Sequence, residues 1–98
     1  MYYVLNGKEV VAIDSITEWG KWFGTADRTV AKTEVKHGVE VSTVFLGLDH
    51  SFHGKIPLVF ETMVFGGEND GEMERYSTWD EAEAGHKKMV ESLGAAER

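Results

Sequence analysis

The 98-residue sequence contains no cysteine, only one proline and no apolar run long enough for a membrane helix. Without cysteine the chain can form no disulfide, use no thiolate as a nucleophile and bind no zinc through sulfur. A membrane helix needs about 20 consecutive apolar residues, which this sequence does not offer. The glycine patterns that hold phosphates, G-x-x-x-x-G-K-[ST] and G-x-G-x-x-G, do not occur either. These absences exclude thiol enzymes and fit a reducing cytoplasm.

Basic residues are also scarce. The chain has 10 lysines and arginines against 17 acidic residues, which gives a formal net charge of −7. A phosphate backbone or an anionic membrane repels such a chain, so we expect neither nucleic acid nor membrane as a direct partner. A protein with a basic surface is the partner that the charge favours. The alternative is that the acidity only keeps a small protein soluble.

Two capping boxes predict the helices. The pattern S/T-x-x-E occurs at 15–18 and at 78–81, and in it two side chains satisfy the free backbone N–H groups of a helix start. The second helix is predicted to run to about Leu93, where Gly94 can end it. An apolar stripe on the first helix predicts which side faces the core. Its members are Ile16, Trp19, Gly20, Phe23 and Ala26.

The strands follow from turn signals and β-prone runs. Asn6-Gly7 and His37-Gly38 predict two hairpin turns. The predicted strands are Tyr2–Leu5, Glu9–Ala12, Thr29–Lys36, Val39–Leu46, Leu58–Phe65 and a short edge strand at 75–77. The order β-β-α-β-β-β-(β)-α predicts a single α+β domain over residues 1–98. We expect an antiparallel sheet of about five to six strands with two helices packed on one face.

Two predicted strands are apolar on both faces. In Val39–Leu46, Val41 and Phe45 lie on one face and Val44 and Leu46 on the other. In Leu58–Phe65, Leu58, Phe60 and Val64 alternate with Val59, Met63 and Phe65. Two helices cover one side of such a sheet and leave the other side in need of cover. Either the sheet curls on itself, or a second copy or another protein covers this face. The sequence therefore predicts a homodimer through the free sheet face as one alternative.

The stretch DHSFH is a candidate metal site. Asp49, His50 and His53 offer three ligands, and Glu61 or His86 could supply a fourth. Histidine ligands are usually fixed on a helix or by further ligands, and this stretch lies between glycines. The alternative, which we favour, is a loop between strands in which Asp49 forms an Asx-turn. We therefore predict no metal, no cofactor and no catalytic residue.

Two polar residues lie within apolar patterns. Glu61 is in the middle of a predicted strand, and we expect it to pair with Arg28 or Arg75, because an unpaired buried charge is costly. His86 lies on the apolar stripe of the second helix. A histidine there is usually a neutral ring bound to a polar neighbour rather than a catalytic group.

Three segments carry a resemblance. STVFLGLDHSF (42–52), PLVFETMVFGG (57–67) and ERYSTWDEAEAGHKKMV (74–90) resemble short proteins encoded by tailed phages and prophages. The N-terminal stretches NGKEV and EWGKWF are similar too, so that the likeness covers most of the chain. The resemblance implies a phage or prophage product acting in the cytoplasm of a bacterial host.

The charge and this setting together favour a non-enzymatic binder of a host protein. The sharpest form of the hypothesis is an inhibitor of a host defence system, such as an anti-CRISPR protein, whose carboxylates displace phosphates from a basic channel. Trp22, at the flank of the first helix, is a candidate interface anchor. The predicted partner-binding acids are Glu68, Asp70, Glu72, Glu74, Asp80, Glu81 and Glu83. The alternatives are a small metal-assisted enzyme using the DHSFH loop and a virion or assembly component acting by self-association.

Overall fold

The structure is a computed structural model that describes residues 2–51, 54 and 56–95. The elements follow the predicted order, and the fold class is α+β, as predicted. The elements are β1 (Tyr2–Asn6), β2 (Glu9–Ile13), α1 (Ile16–Thr25), β3 (Thr29–Lys36), β4 (Val39–Phe45), β5 (Phe60–Phe65), β6 (Met73–Tyr76) and α2 (Trp79–Ala95).

The six strands form two antiparallel sheets rather than one. β1 pairs with β2, and the other four strands lie in the order β3-β4-β5-β6. Among the described residues a single isolated bridge, between Tyr2 and Leu48, joins the hairpin to the segment after β4, and the Tyr3 amide donates to the Gly47 carbonyl at 2.9 Å. The bridge lies just beyond Phe45, where β4 has already ended, so the hairpin does not continue the ladder.

Helix α2 lies across one face of the larger sheet. The alternation of β4 is complete, since Val41 and Phe45 are fully buried on the helix side while their neighbours are partly exposed. Met89 and Leu93 of α2 pack against Val41 in one core cluster. A second cluster forms around Phe45, Val59, Phe60 and Ala82, with side chains from β1, β2 and α1 packed against it. Each fully buried aromatic or aliphatic side chain contributes about 1.5–3 kcal/mol.

The second predicted capping box forms in full, and in the first the N-cap side chain makes its hydrogen bond. The Ser15 hydroxyl accepts a hydrogen bond from the Glu18 amide at 3.1 Å, and the Thr78 hydroxyl accepts one from the Glu81 amide at 3.1 Å. The Glu81 carboxylate in turn accepts from the Thr78 amide at 3.2 Å, which completes the reciprocal pair.

Two details of the helices differ from the prediction. α2 continues through Gly94 to Ala95, because the buried Leu93 holds the last turn against the sheet and Gly94 keeps a negative φ. In α1 no residue is fully buried, and Ile16 is 59% exposed although it was predicted to face the core. Since α1 contacts mainly β1, its first turn reaches beyond the apolar cluster.

Candidate interaction surface

Asp49 organises the loop after β4. Its Oδ1 accepts hydrogen bonds from the Ser51 amide at 2.8 Å and the Leu58 amide at 2.9 Å. These two hydrogen bonds hold the pKa of the Asp49 carboxyl below its usual value, and the bond from Ser51 contributes most. The carboxylate therefore forms the predicted Asx-turn and ties the loop to the entrance of β5.

The proposed metal ligands of this loop are only partly described. His50 is exposed, while His53 lies outside the described residues. Among residues 2–51, 54 and 56–95, no three histidine, aspartate or glutamate side chains lie close enough together to hold a metal ion. Asp49 already has two amide donors on one carboxylate oxygen.

Glu61 pairs with an arginine, as predicted. The Arg75 Nε lies 3.0 Å from Glu61 Oε2, and the two residues are direct cross-strand partners on β5 and β6. Arg28, the other predicted partner, lies 3.8 Å over the Phe23 ring and donates to the Phe45 carbonyl at 3.2 Å. Glu61 is thus an ion-paired carboxylate on the face of the sheet opposite α2.

His86 is the buried histidine that the stripe predicts. Its side chain is 6% exposed, its Nδ1 lies 2.7 Å from the Thr43 hydroxyl and its Nε2 lies 2.9 Å from the Thr33 hydroxyl. The Thr43 hydroxyl also bonds to that of Thr62. A neutral imidazole has one donor and one acceptor nitrogen, and hydroxyl groups can match either. Burial lowers the pKa of His86 and keeps the ring neutral.

Three of the seven predicted binding acids accept hydrogen bonds from residues close to them in the sequence. Asp70 Oδ1 accepts from the Gly66 amide at 2.7 Å, and Glu72 Oε2 accepts from the Asn69 side chain at 2.8 Å. Glu81 is committed to the cap of α2. The turn and the cap therefore fix the positions of these carboxylates.

The other four acids are exposed and lie on different sides of α2. Glu68 lies in the β5–β6 turn, and Asp80 lies at the start of α2, near the opposite end of β6. Glu74 lines a groove between β6 and α2, whereas Glu83 lines a groove between β3 and α2. The structure therefore spreads the acids over several surfaces, and their part in binding stays a prediction.

Trp22 packs at the edge of the core. Its ring meets Phe45 edge-on, with 5.7 Å between centroids, and belongs to the cluster around Phe45 and Phe60. Trp19 and Phe23 stack with a centroid distance of 4.6 Å. Trp22 thus contributes to the edge of the core as a partly buried side chain. Its role as an interface anchor stays a prediction.

The face of the larger sheet opposite α2, here called the open face, combines apolar and charged side chains. Phe65 is 48% exposed and Met73 is 42% exposed. Met63, the cross-strand partner of Met73, and Val44 are half-buried. The Glu61–Arg75 pair and the Lys32–Glu40 pair lie on this face as well. The sequence indicated Val44, Met63 and Phe65. It missed Met73, because the short strand was predicted two residues too late.

Comparison with known proteins adds no relative, since no family model, no curated protein and no solved structure matches the chain. In the part of the chain that the structure describes, neither helix has the length and apolar character needed to cross a membrane.

Proposed function

We propose that the protein is a non-enzymatic binder of another protein and that the open face is its principal contact surface. The exposed Phe65 and Met73 carry this proposal. A protein interface typically has an apolar centre with a polar rim, and aromatic and methionine side chains are enriched at its core. Val44 and Met63 extend the apolar centre, and the two ion pairs form part of the rim.

The charge of the chain supports a partner with a basic surface. The net charge is −7, and the exposed Glu68 and Asp80 lie in a turn and in the first turn of α2, where they can meet another molecule. Such charges accelerate association with a basic partner and are screened beyond about 8–10 Å at physiological ionic strength. Added salt should therefore slow association markedly.

The sharpest form of the proposal is an inhibitor of a bacterial defence system of the anti-CRISPR kind. The resemblance to phage and prophage proteins supports this setting in the cytoplasm of a bacterial host. An acidic protein that binds a basic nucleic-acid channel would compete with phosphates for the same lysines and arginines.

Self-association through the open face is the second candidate. The same exposed Phe65 and Met73 would suit a second copy, as in a homodimer or an assembly component. Replacement of Met63 by Asp would then convert the protein to monomers, which a molar-mass measurement in solution detects.

The binding experiment compares two uncharged substitutions at exposed apolar residues. Phe65→Ser removes the largest exposed side chain of the open face, and Ile16→Ser removes a side chain that is 59% exposed on α1, away from that face. We expect Phe65→Ser to weaken capture of the host partner on the order of 30-fold, equivalent to about 2 kcal/mol, because aromatic anchors dominate interfaces. Ile16→Ser should leave capture unchanged.

The immobilised protein is first used to capture partners from host lysate, and the affinity of the identified partner is then measured for each variant. Equal affinities for Phe65→Ser and the wild type would contradict the open face as the contact surface. Failure to capture any protein at low salt would contradict the proposal that this protein binds a host protein.

A further inference from the structure

Strand β3 forms one edge of the larger sheet. Thr29–Lys36 pairs only with β4 on its inner side, and no strand of the described residues pairs with its outer side. Register shifts after Thr29 and after Glu34 leave a regular stretch from Ala31 to Glu34. An exposed edge offers unpaired N–H and C=O groups to another strand, and natural proteins control which strand can bind there.

The charges along this edge alternate in sign. Lys32 and Glu34 point to the open-face side, and Lys32 Nζ lies 3.8 Å from Glu40 Oε1. Glu34 lies directly opposite Glu40 in the β3–β4 register. Like charges opposite each other in a sheet are destabilising, so Glu34 would gain from a cation on its outer side.

We propose that β3 pairs antiparallel with β3 of a second copy, about a two-fold axis at Thr33. In this register Lys32 of each copy faces Glu34 of the other, so that two opposite-charge pairs form. On the side of α2, Ala31 faces Val35 of the other copy, and the two Thr33 residues face each other. Opposite-charge pairs and threonine pairs across neighbouring strands both stabilise a sheet.

The same charges disfavour the neighbouring registers. Opposed residues must point to the same face, so the centre of the pairing can only be a residue position. Centring on Lys32 sets two lysines against each other, and centring on Glu34 sets two glutamates against each other. Centres at Ala31 or Val35 lie nearer the strand ends and pair fewer residues of Thr29–Lys36. The alternating charges thus select one register while rejecting most unrelated strands.

The pairing joins both four-stranded sheets into one continuous sheet. A two-fold axis perpendicular to the sheet keeps both open faces on one side and both α2 helices on the other. The inference is independent of the partner proposed above, since the open face remains uncovered in this dimer.

A charge exchange tests the register. Lys32→Glu places a glutamate opposite Glu34 of the other copy, and Glu34→Lys places a lysine opposite Lys32. We expect each single variant to be monomeric. The double variant K32E/E34K restores both opposite-charge pairs and should restore the dimer. Lys21→Glu, on the exposed side of α1, is the matched control and should remain dimeric.

The measurement is molar mass by light scattering on a sizing column at one fixed protein concentration, with circular dichroism as the check of folding. Twice the mass of the 98-residue chain is expected for the wild type. The variant Met63→Asp separates the two kinds of dimer. It should stay dimeric if the copies pair through β3, and it should become monomeric if they pair through the open face. A monomeric wild type, dimeric single variants or a monomeric double variant would each overturn the proposal.

Discussion

At the scale of single residues, the threonine-bound His86 makes stability depend on pH. Its folded pKa is lowered from 6.5 because burial disfavours the charged ring. Below pH 6.5 the His86 ring therefore binds a proton more readily in the unfolded chain than in the folded protein. The stability associated with the neutral ring is fully present above that pH and is lost as the pH falls from 6.5 towards the lowered folded pKa.

We predict that the midpoint of urea unfolding falls between pH 7.5 and about pH 5 more steeply in the wild type than in His86→Gln. His37→Gln, at an exposed turn position, is the control and should follow the wild type. Parallel pH profiles for the wild type and His86→Gln would show that the ring is not the source of the pH dependence.

Gly85 is a point of close approach between α2 and β6. A Cβ at this position would overlap the ring and hydroxyl of Tyr76, whose side chain lies beneath the helix. The Tyr76 hydroxyl is buried with no hydrogen-bond partner among the described residues, and burial raises its pKa. A methyl group at Gly85 therefore requires the Tyr76 ring or the helix to shift.

We predict that Gly85→Ala lowers the free energy of unfolding by about 1–3 kcal/mol, as overpacking does. Gly20→Ala is the control, because nothing lies within 4 Å of its Cβ and α1 would gain up to about 1 kcal/mol of helix propensity. Chemical denaturation measures both. Stabilisation by both substitutions would mean that α2 shifts away from Tyr76 without cost.

At the scale of elements, α1 and the β1–β2 hairpin have the weakest attachment. α1 has no fully buried residue, and in the described part of the chain the hairpin has one isolated bridge, to the segment after β4. β4 lies between two strands and buries every second residue. Local opening costs least where few apolar contacts are lost.

We predict that amides of α1 exchange with deuterium at least about tenfold faster than those of β4, a difference of about 1.4 kcal/mol in opening free energy. Mass spectrometry of peptic fragments separates the two segments, with α2 as an internal reference that should resemble β4. Equal protection of α1 and β4 would mean that the hairpin and the sheet unfold as one unit.

Elements that depend on local chemistry could be predicted from the sequence. The capping boxes mark both helix starts, and the two glycine turns mark the hairpins, because side-chain and backbone requirements there involve only neighbouring residues. Strand Thr29–Lys36 has the predicted bounds. β5 begins at Phe60 rather than Leu58, since the amide of Leu58 is bound by Asp49 instead of a strand.

At the scale of the whole molecule, the candidate surface was harder to predict than the fold. The free sheet face follows from apolar residues on both sides of a strand, which is a local pattern. The dispersal of the acids around α2 follows from how β6 and the helix pack, and sequence spacing does not contain that information. Glu74 and Glu83 are close in sequence, yet they line grooves on different sides of the helix.

The open face also bears on colloidal behaviour. At neutral pH, mutual repulsion between molecules of net charge −7 opposes contact between their exposed Phe65 and Met73 side chains. Near pH 5.0, where the chain has no net charge, that repulsion vanishes while the apolar area stays the same. The protein should therefore have a sharp solubility minimum in mildly acidic solution, and a bound partner that covers this face should remove it.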